Sequence, residues 1–223
     1  MLSFIGGTGP EGLGLALRFL MAGEDVTIGS RSAERASAAA EKLRSMVQGA
    51  ASDGPAPSAT VQGLVNEEAV KLGDIVLITV PFDGQASILS ALKDAIGNKL
   101  VVDTVIPLKF GKGVIKAIPV EEGSAAEQAQ RILPDATVVS AFQNLSAESL
   151  VDLKERMDCD VVVCGDDQEA KARVMELAGK IDGIRAVDGG SLANTRYVED
   201  FTALLLNINK IYKAHSSIKI TGI

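Results

Sequence analysis

The stretch Leu2-Ser-Phe-Ile-Gly-Gly-Thr-Gly-Pro-Glu-Gly-Leu-Gly14 decides how the chain is read. A short apolar run, Leu2 to Ile5, breaks into glycines, and Leu13, Leu15, Ala16, Leu17, Phe19 and Leu20 follow at once. The apolar period changes there from strand-like to helix-like, which sets the glycines at a strand-to-helix turn. Gly7-x-Gly9-x-x-Gly12 has the dinucleotide-fingerprint spacing. Its first glycine permits the tight turn, its second lets backbone approach a pyrophosphate, and its third lets the helix pack on the strand. Pro10 suits the first helical turn, where an N–H would be unpaired anyway. The plainer alternative is a glycine-rich turn that binds nothing. The strand before the motif and the helix behind it are the context that favours the nucleotide.

The next informative place lies at the tip of the second strand. Gly23 closes the first helix, and Asp25-Val-Thr-Ile-Gly29 reads as a strand ending at Ser30-Arg31-Ser32. An NAD-binding unit carries an acidic residue about 20 positions beyond the fingerprint, where it holds the ribose 2′-hydroxyl. Here a hydroxyl, Ser30, stands beside Arg31, with Arg35 one helical turn on. Guanidinium groups offer a charge-assisted, bidentate fork to phosphate, so this tip favours the 2′-phosphate of NADP over NAD. Solvated cations at a helix start are the alternative.

Further along, strand-like and helix-like stretches alternate. A helix is expected from Ser32 to about Val47, a small-residue surface loop over 49–58, a strand from Thr60 and a short helix from Asn66. Residues 74–80 form the most apolar strand, expected at the centre of a parallel sheet. Ligands in such sheets bind beyond the carboxyl ends of the strands, so Val80, Pro81 and Phe82 should line a crevice ahead of a helix over 85–96. Phe82 is a wall for the ligand or packs on its own helix. A fifth strand from Leu100 brings Val105 and Ile106 near the place of a nicotinamide, and Lys109, Lys112 and Lys116 with Gly111 and Gly113 read as a basic loop. A helix over 125–133 and a strand over 137–142 complete the unit. Then come a helix from Ser146 to about Met157, a strand over 160–164, a helix after Gly165, a strand from Gly183, and a long apolar helix over 192–212. The expected class is α/β: a doubly wound parallel sheet, with a nucleotide-binding domain over 1–142 and a small C-terminal α/β domain over 143–223. The last helix is expected to pack on a second copy in a homodimer.

Bulk properties exclude several functions. The chain has 223 residues, a net charge of -7 and only 4% aromatic residues, which argues against nucleic acid as a partner. No apolar run approaches the roughly 20 residues of a membrane span, and the first residues enter a strand where a signal peptide would lie. Cys159 and Cys164 read as buried free thiols of a cytoplasmic protein. His215 is the single histidine, so no metal site built on two histidines is expected.

With these residues laid out, the chain resembles the NADPH:F420 oxidoreductase family. The resemblance rests on Gly6-Gly-Thr-Gly9, Gly29-Ser-Arg31 with Arg35, Thr79-Val-Pro81 before an aromatic residue, and Val138-Val-Ser-Ala141. Further along it rests on Val163-Cys-Gly-Asp-Asp167, Ile181-Asp-Gly183 and Leu205-Leu-Asn-Ile208. It implies a reversible hydride transfer between NADPH and the deazaflavin coenzyme F420. It further implies Thr8, Gly9, Pro10 and Glu11 along the pyrophosphate, Ser30, Arg31 and Arg35 on the 2′-phosphate, and Phe82, Ala86, Ile106 and Ala147 along the rest of the nucleotide. Where well-known members carry a histidine and a proline beside the nicotinamide, this chain reads Phe142-Gln-Asn-Leu-Ser146. Gln143, Asn144 and Leu145 then stand at the acceptor pocket, and Gln143 bonds through its amide without carrying a proton. Lys109, Lys112 and Lys116 would face a polyglutamate tail or form an ordinary solvated loop.

Hydride transfer between two bound rings needs little acid–base machinery, and no catalytic side chain is singled out. The rival readings are an NADPH-dependent reductase of a flavin, metal complex, imine or carbonyl, and a non-enzymatic NADPH-binding module. A carbonyl would call for a proton donor, with Tyr197, Lys210 and Tyr212 as candidates.

Overall fold

A computed structural model describes residues 1–50, 58–111 and 113–223. In chain order its elements are β1 (Leu2–Ile5), α1 (Pro10–Met21), β2 (Val26–Ser30), α2 (Ala33–Ala50), β3 (Val61–Val65), α3 (Asn66–Leu72), β4 (Ile75–Ile78), α4 (Phe82–Ile96) and β5 (Leu100–Asp103). A hairpin of β6 (Leu108–Phe110) and β7 (Ile115–Ala117) follows, then α5 (Ala125–Ile132), β8 (Thr137–Ser140), α6 (Ala147–Val151) and β9 (Cys159–Gly165). The chain continues with α7 (Gln168–Gly179), β10 (Ile184–Asp188), a 3-10 turn over Leu192–Asn194, and α8 (Thr195–Tyr212). Residues 51–57 of the expected surface loop, and Lys112, lie outside the described residues; Gly49 and Ala50 belong to α2.

The eight-stranded sheet runs β10-β9-β8-β5-β4-β1-β2-β3. From β3 to β8 all pairs are parallel, in the doubly wound order whose direction reverses between β1 and β4. β9 joins β8 antiparallel, and β10 pairs parallel with β9. One sheet therefore crosses the expected boundary at residue 142.

Side-chain alternation explains the layers. Leu2 and Phe4 of β1, Leu77 of β4 and Val102 of β5 pack with Leu15 and Phe19 of α1 and Leu43 of α2. Ile5, Val76, Ile78 and Val101 face the other way, onto Leu89, Leu92 and Ile96 of α4. Strands covered on both faces read as unbroken apolar runs, as β4 does. No helix among the described residues is long and apolar enough to cross a membrane.

Three expectations are corrected. The basic stretch after Pro107 is a β-hairpin, with Gly111 N–H donating to Val114 O at 3.1 Å. Leu-Lys-Phe and Ile-Lys-Ala alternate around a glycine-bearing turn, a hairpin signal that the lysine count masks. α6 stops at Val151, well short of Met157. Beyond its end the Asp152 side chain accepts the Lys154 N–H at 3.0 Å, and buried Arg18 of α1 donates to the carbonyls of Ser149, Leu150, Asp152 and Glu155. Those groups are diverted from helical bonds. α4 starts at Phe82, three residues earlier than expected, because Pro81 holds extended backbone as its N-cap.

Candidate functional site

A crevice of about 830 Å³ opens at the carboxyl ends of β1, β2, β4 and β5. The strands contribute residues at or just past their carboxyl ends: Gly6, Ser30, Thr79 with Val80, and Thr104 with Val105 and Ile106. Two hydroxyls fix this rim. Thr79 Oγ1 donates to Ile5 O at 3.1 Å, and Thr104 Oγ1 donates to Ile78 O at 2.9 Å, joining neighbouring strands where the sheet ends.

The glycines behave as their spacing requires. A Cβ on Gly12 would lie 2.7 Å from both Gly7 Cα and Thr79 Oγ1, so α1 sits on the turn only because Gly12 lacks one. A Cβ on Gly9 would meet nothing closer than Gly6 O at 3.9 Å, which leaves open space for a ligand against that backbone. The left-handed residue is Gly6, at φ +73. α1 begins with Gly9 as N-cap and Pro10 in the first turn, so its free N–H groups face the crevice.

At the β2 end, Ser30 is buried and its Oγ accepts the Ser32 N–H at 3.3 Å. Arg31 and Arg35 are exposed, and Arg35 Nη2 reaches back to Thr8 Oγ1 at 3.4 Å. The guanidiniums and the glycine turn thus share one wall. Two buried oxygens on the lining have no hydrogen-bond partner among the described residues: Glu11 Oε1 and Asn66 Oδ1. Burial pushes the Glu11 carboxyl up to about 8.

Behind the β5 end lies a buried polar network. Asp103 accepts from Gln85 Nε2 at 2.6 Å and from Val105 N at 2.9 Å. Gln85 also donates to Ala125 O, and the Ala125 N–H donates to Glu199 of α8 at 3.0 Å. Burial raises Asp103 to about 7 against the lowering hydrogen bond from Val105. Burial raises Glu199 to about 8, Asp103 adding to it and the Ala125 and Ala126 amides opposing. Gln143 Nε2 donates to Asp103 O at 3.0 Å and to Ser140 Oγ at 2.8 Å, and so ties the ends of β5 and β8 together.

The crevice brings together Thr8, Gly9, Pro10, Glu11, Ser30, Arg31, Arg35, Val80, Phe82 and Ile106. Gly7 is buried beneath the turn, with Phe4 Cβ 2.7 Å from where its own Cβ would be. Ala86 is exposed on α4, and Ala147 begins α6, whose first-turn carbonyl lies near Gly14. Neither is among the lining residues. Gln143, Asn144 and Leu145 are buried in the turn after β8, where Asn144 Nδ2 donates to Asp160 O. Phe142 opens that turn at φ +74, its ring edge-on to Phe19 at 5.9 Å. Strand alternation sets Leu108 and Phe110 on the crevice and turns Lys109 and Lys116, directly opposite each other, to the other face of the hairpin. Tyr197 and Tyr212 are 67% and 75% exposed and, like Lys210, are absent from the lining.

Sequence reasoning missed Asn66 and Phe110. Asn66 reads as an ordinary helix start, and only the β2–β3 pairing brings it beside Gly29, where a Cβ would lie 2.9 Å from its Oδ1. Phe110 could have been found from the hairpin alternation. The lining offers an extended, phosphate-suited groove with no evident nucleophile–base pair.

Residues 1–107 match the family model described as "NADP oxidoreductase coenzyme F420-dependent". The F420-dependent NADP reductase of Methanothermobacter thermautotrophicus is 42% identical over 212 residues, covering 93% of this chain and 88% of that one. The protein of the same description from Methanocaldococcus jannaschii is 39% identical over 225 residues, covering 100% and 98%. Among solved structures, a protein from Arthrobacter sp. FB24 superposes with a TM-score of 0.80 over 99% of both chains at 24% identity, a likeness of fold.

Proposed function

The chain belongs to the coenzyme F420-dependent NADP oxidoreductase family, and from that membership we infer that it transfers a hydride between NADPH and coenzyme F420. The observation that carries the reading for this chain is the shared wall of the crevice. Arg35 of α2 reaches Thr8 of the glycine turn, so one groove offers guanidiniums to a 2′-phosphate and helix N–H groups to a pyrophosphate.

The orphan Glu11 and Asn66 oxygens and the open face of Gly9 fit such a ligand. Thr8, Gly9, Pro10 and Glu11 hold its pyrophosphate, and Ser30, Arg31 and Arg35 its 2′-phosphate. Val80 and Phe82 flank the ribose and adenine side, and Ile106 approaches the nicotinamide. NADPH, once bound, supplies the hydride. The protein's share is orientation and exclusion of water, so a lining without a proton-transfer pair is sufficient. Residues 1–142 carry the nucleotide and 143–223 complete the acceptor side. There the buried turn of Gln143, Asn144 and Leu145 acts by fixing the strand ends. The protein is cytoplasmic in this reading, in keeping with its free, buried cysteines.

A homodimer formed through α8 completes the proposal. Tyr197, Phe201, Leu204, Ile208 and Ile211 recur at alternating spacings of four and three, the period of a coiled-coil seam, and all but half-buried Ile208 are exposed. The opposite face, with Val198, Ala203 and Leu205, is buried in the protein.

The activity is tested by mixing the purified protein with NADPH and oxidised F420, with FMN and ferric chelates in parallel. Bleaching of the deazaflavin absorbance supports the reading; turnover only with another acceptor overturns the F420 assignment.

A further inference from the structure

We propose that Glu11 takes part in nucleotide binding as a neutral carboxylic acid, so that the crevice takes up a proton when it takes up NADP(H). The inference rests on the crevice being the nucleotide site. Glu11 occupies the first turn of α1, where the fingerprint delivers a pyrophosphate to the same free N–H groups. A carboxylate alone would be favoured by that helix end, but a carboxylate and a phosphate there compete for one set of donors and repel each other.

Among the described residues the side chain has no partner that would hold it charged. Its Oε1 is buried on the crevice lining without a hydrogen bond from any described residue. The elements packed on α1 offer it no hydrogen bond or ion pair among the described residues. β1 carries no titratable group. Arg31 at the β2 tip and Glu34 and Arg35 at the start of α2 are exposed. Glu148 of α6 is exposed and paired with His215 at 3.0 Å. Across the crevice, α4 contributes exposed Asp83. None of these groups hydrogen-bonds Glu11. Burial therefore dominates, and with its carboxyl raised to about 8 the side chain is neutral at pH 7. A neutral acid has an O–H to donate, and a phosphate oxygen is an acceptor. The pair is complementary where the ionised pair is not.

Above the Glu11 midpoint only the protonated fraction binds, so the apparent Kd for NADP⁺ rises by about tenfold between pH 7 and pH 9. Calorimetry of the wild type in two buffers of different ionisation enthalpy should show uptake approaching about one proton per nucleotide at pH 9 and little at pH 7. Glu11→Gln keeps the shape and a donor, and its Kd should stay level over the same range. In wild-type protein labelled with ¹³C at the glutamate carboxyls, the Glu11 signal should titrate near pH 8 when free and remain protonated to pH 9 with NADP⁺ bound.

A wild-type Kd that does not change with pH overturns the inference and leaves the nucleotide site standing. A slope that persists in Glu11→Gln assigns the proton to Asp103 or Glu199 and also overturns it. Failure to bind NADP⁺ at any pH removes the crevice assignment, and this inference with it.

Discussion

At the scale of single residues, each wall of the crevice can be tested separately. Arg31 is exposed at the β2 tip and, among the described residues, makes no hydrogen bond that would compete with a phosphate. Arg31→Asp should therefore lower kcat/KM with NADPH by about 10- to 100-fold, the worth of one charge-assisted hydrogen bond, while NADH improves in relative terms. Steady-state kinetics with both coenzymes measures the shift, and an unchanged ratio would remove the 2′-phosphate assignment. The two glycines make a matched pair. Gly12→Ala puts a Cβ 2.7 Å from the Gly7 backbone and should lower the melting temperature. Gly9→Ala meets no protein atom closer than 3.9 Å. It should leave the melting temperature nearly unchanged and weaken NADP⁺ binding, because its methyl points into ligand space.

Two elements depend on contacts that their own sequences do not disclose. The α6 segment is held by the Arg18 guanidinium, which donates to four carbonyls within residues 149–155. Arg18→Ala would strand those acceptors around a buried void and should cost about 3 kcal/mol in urea unfolding. A loss below about 1 kcal/mol would mean that water replaces the guanidinium without penalty. α8 has an inner face that anchors the protein and an outer seam left exposed among the described residues. Leu204, half exposed in the middle of that seam, is the position at which a charge should separate two copies. Leu204→Glu should shift the mass by light scattering from dimer to monomer while the circular dichroism stays unchanged. A wild type that is monomeric at all concentrations would end the homodimer proposal.

For the molecule as a whole, the three raised carboxyls set the response to pH. Glu11, Asp103 and Glu199 hold their protons to about 8, 7 and 8 in the folded protein, whereas in the unfolded chain they lose them near pH 4. Between those limits the folded state binds more protons than the unfolded state, so stability falls as pH rises from about 5 to about 8, and the buried Cys159 and Cys164 thiols, pushed up to about 11, renew the fall above about pH 9. Thermal unfolding at pH 5, 6.5 and 8 should show the melting temperature declining in that order. Glu199→Gln should flatten part of the decline. A melting temperature that rises toward pH 8 would mean that these groups are ionised in the native protein.

The sequence alone determined the glycine fingerprint and the strand–helix units around it. A strand, a glycine turn, a helix and the Ser-Arg tip of the next strand are local patterns within the first 35 residues, and local sterics and apolar period are enough to read them. The same logic located β4 at the centre of the sheet. The C-terminal part was decided by tertiary structure, because its contacts join residues far apart in the chain. Gln143 bonds to the end of β5 across 40 residues, Glu199 caps α5 across 74, and Asn207 holds the Ile115 backbone of the hairpin across 92. No periodicity or turn signal encodes such pairings. That is why nothing local in the sequence discloses that Gln143 ties the ends of β5 and β8 together, or that Lys109 and Lys116 share the hairpin face opposite Leu108 and Phe110.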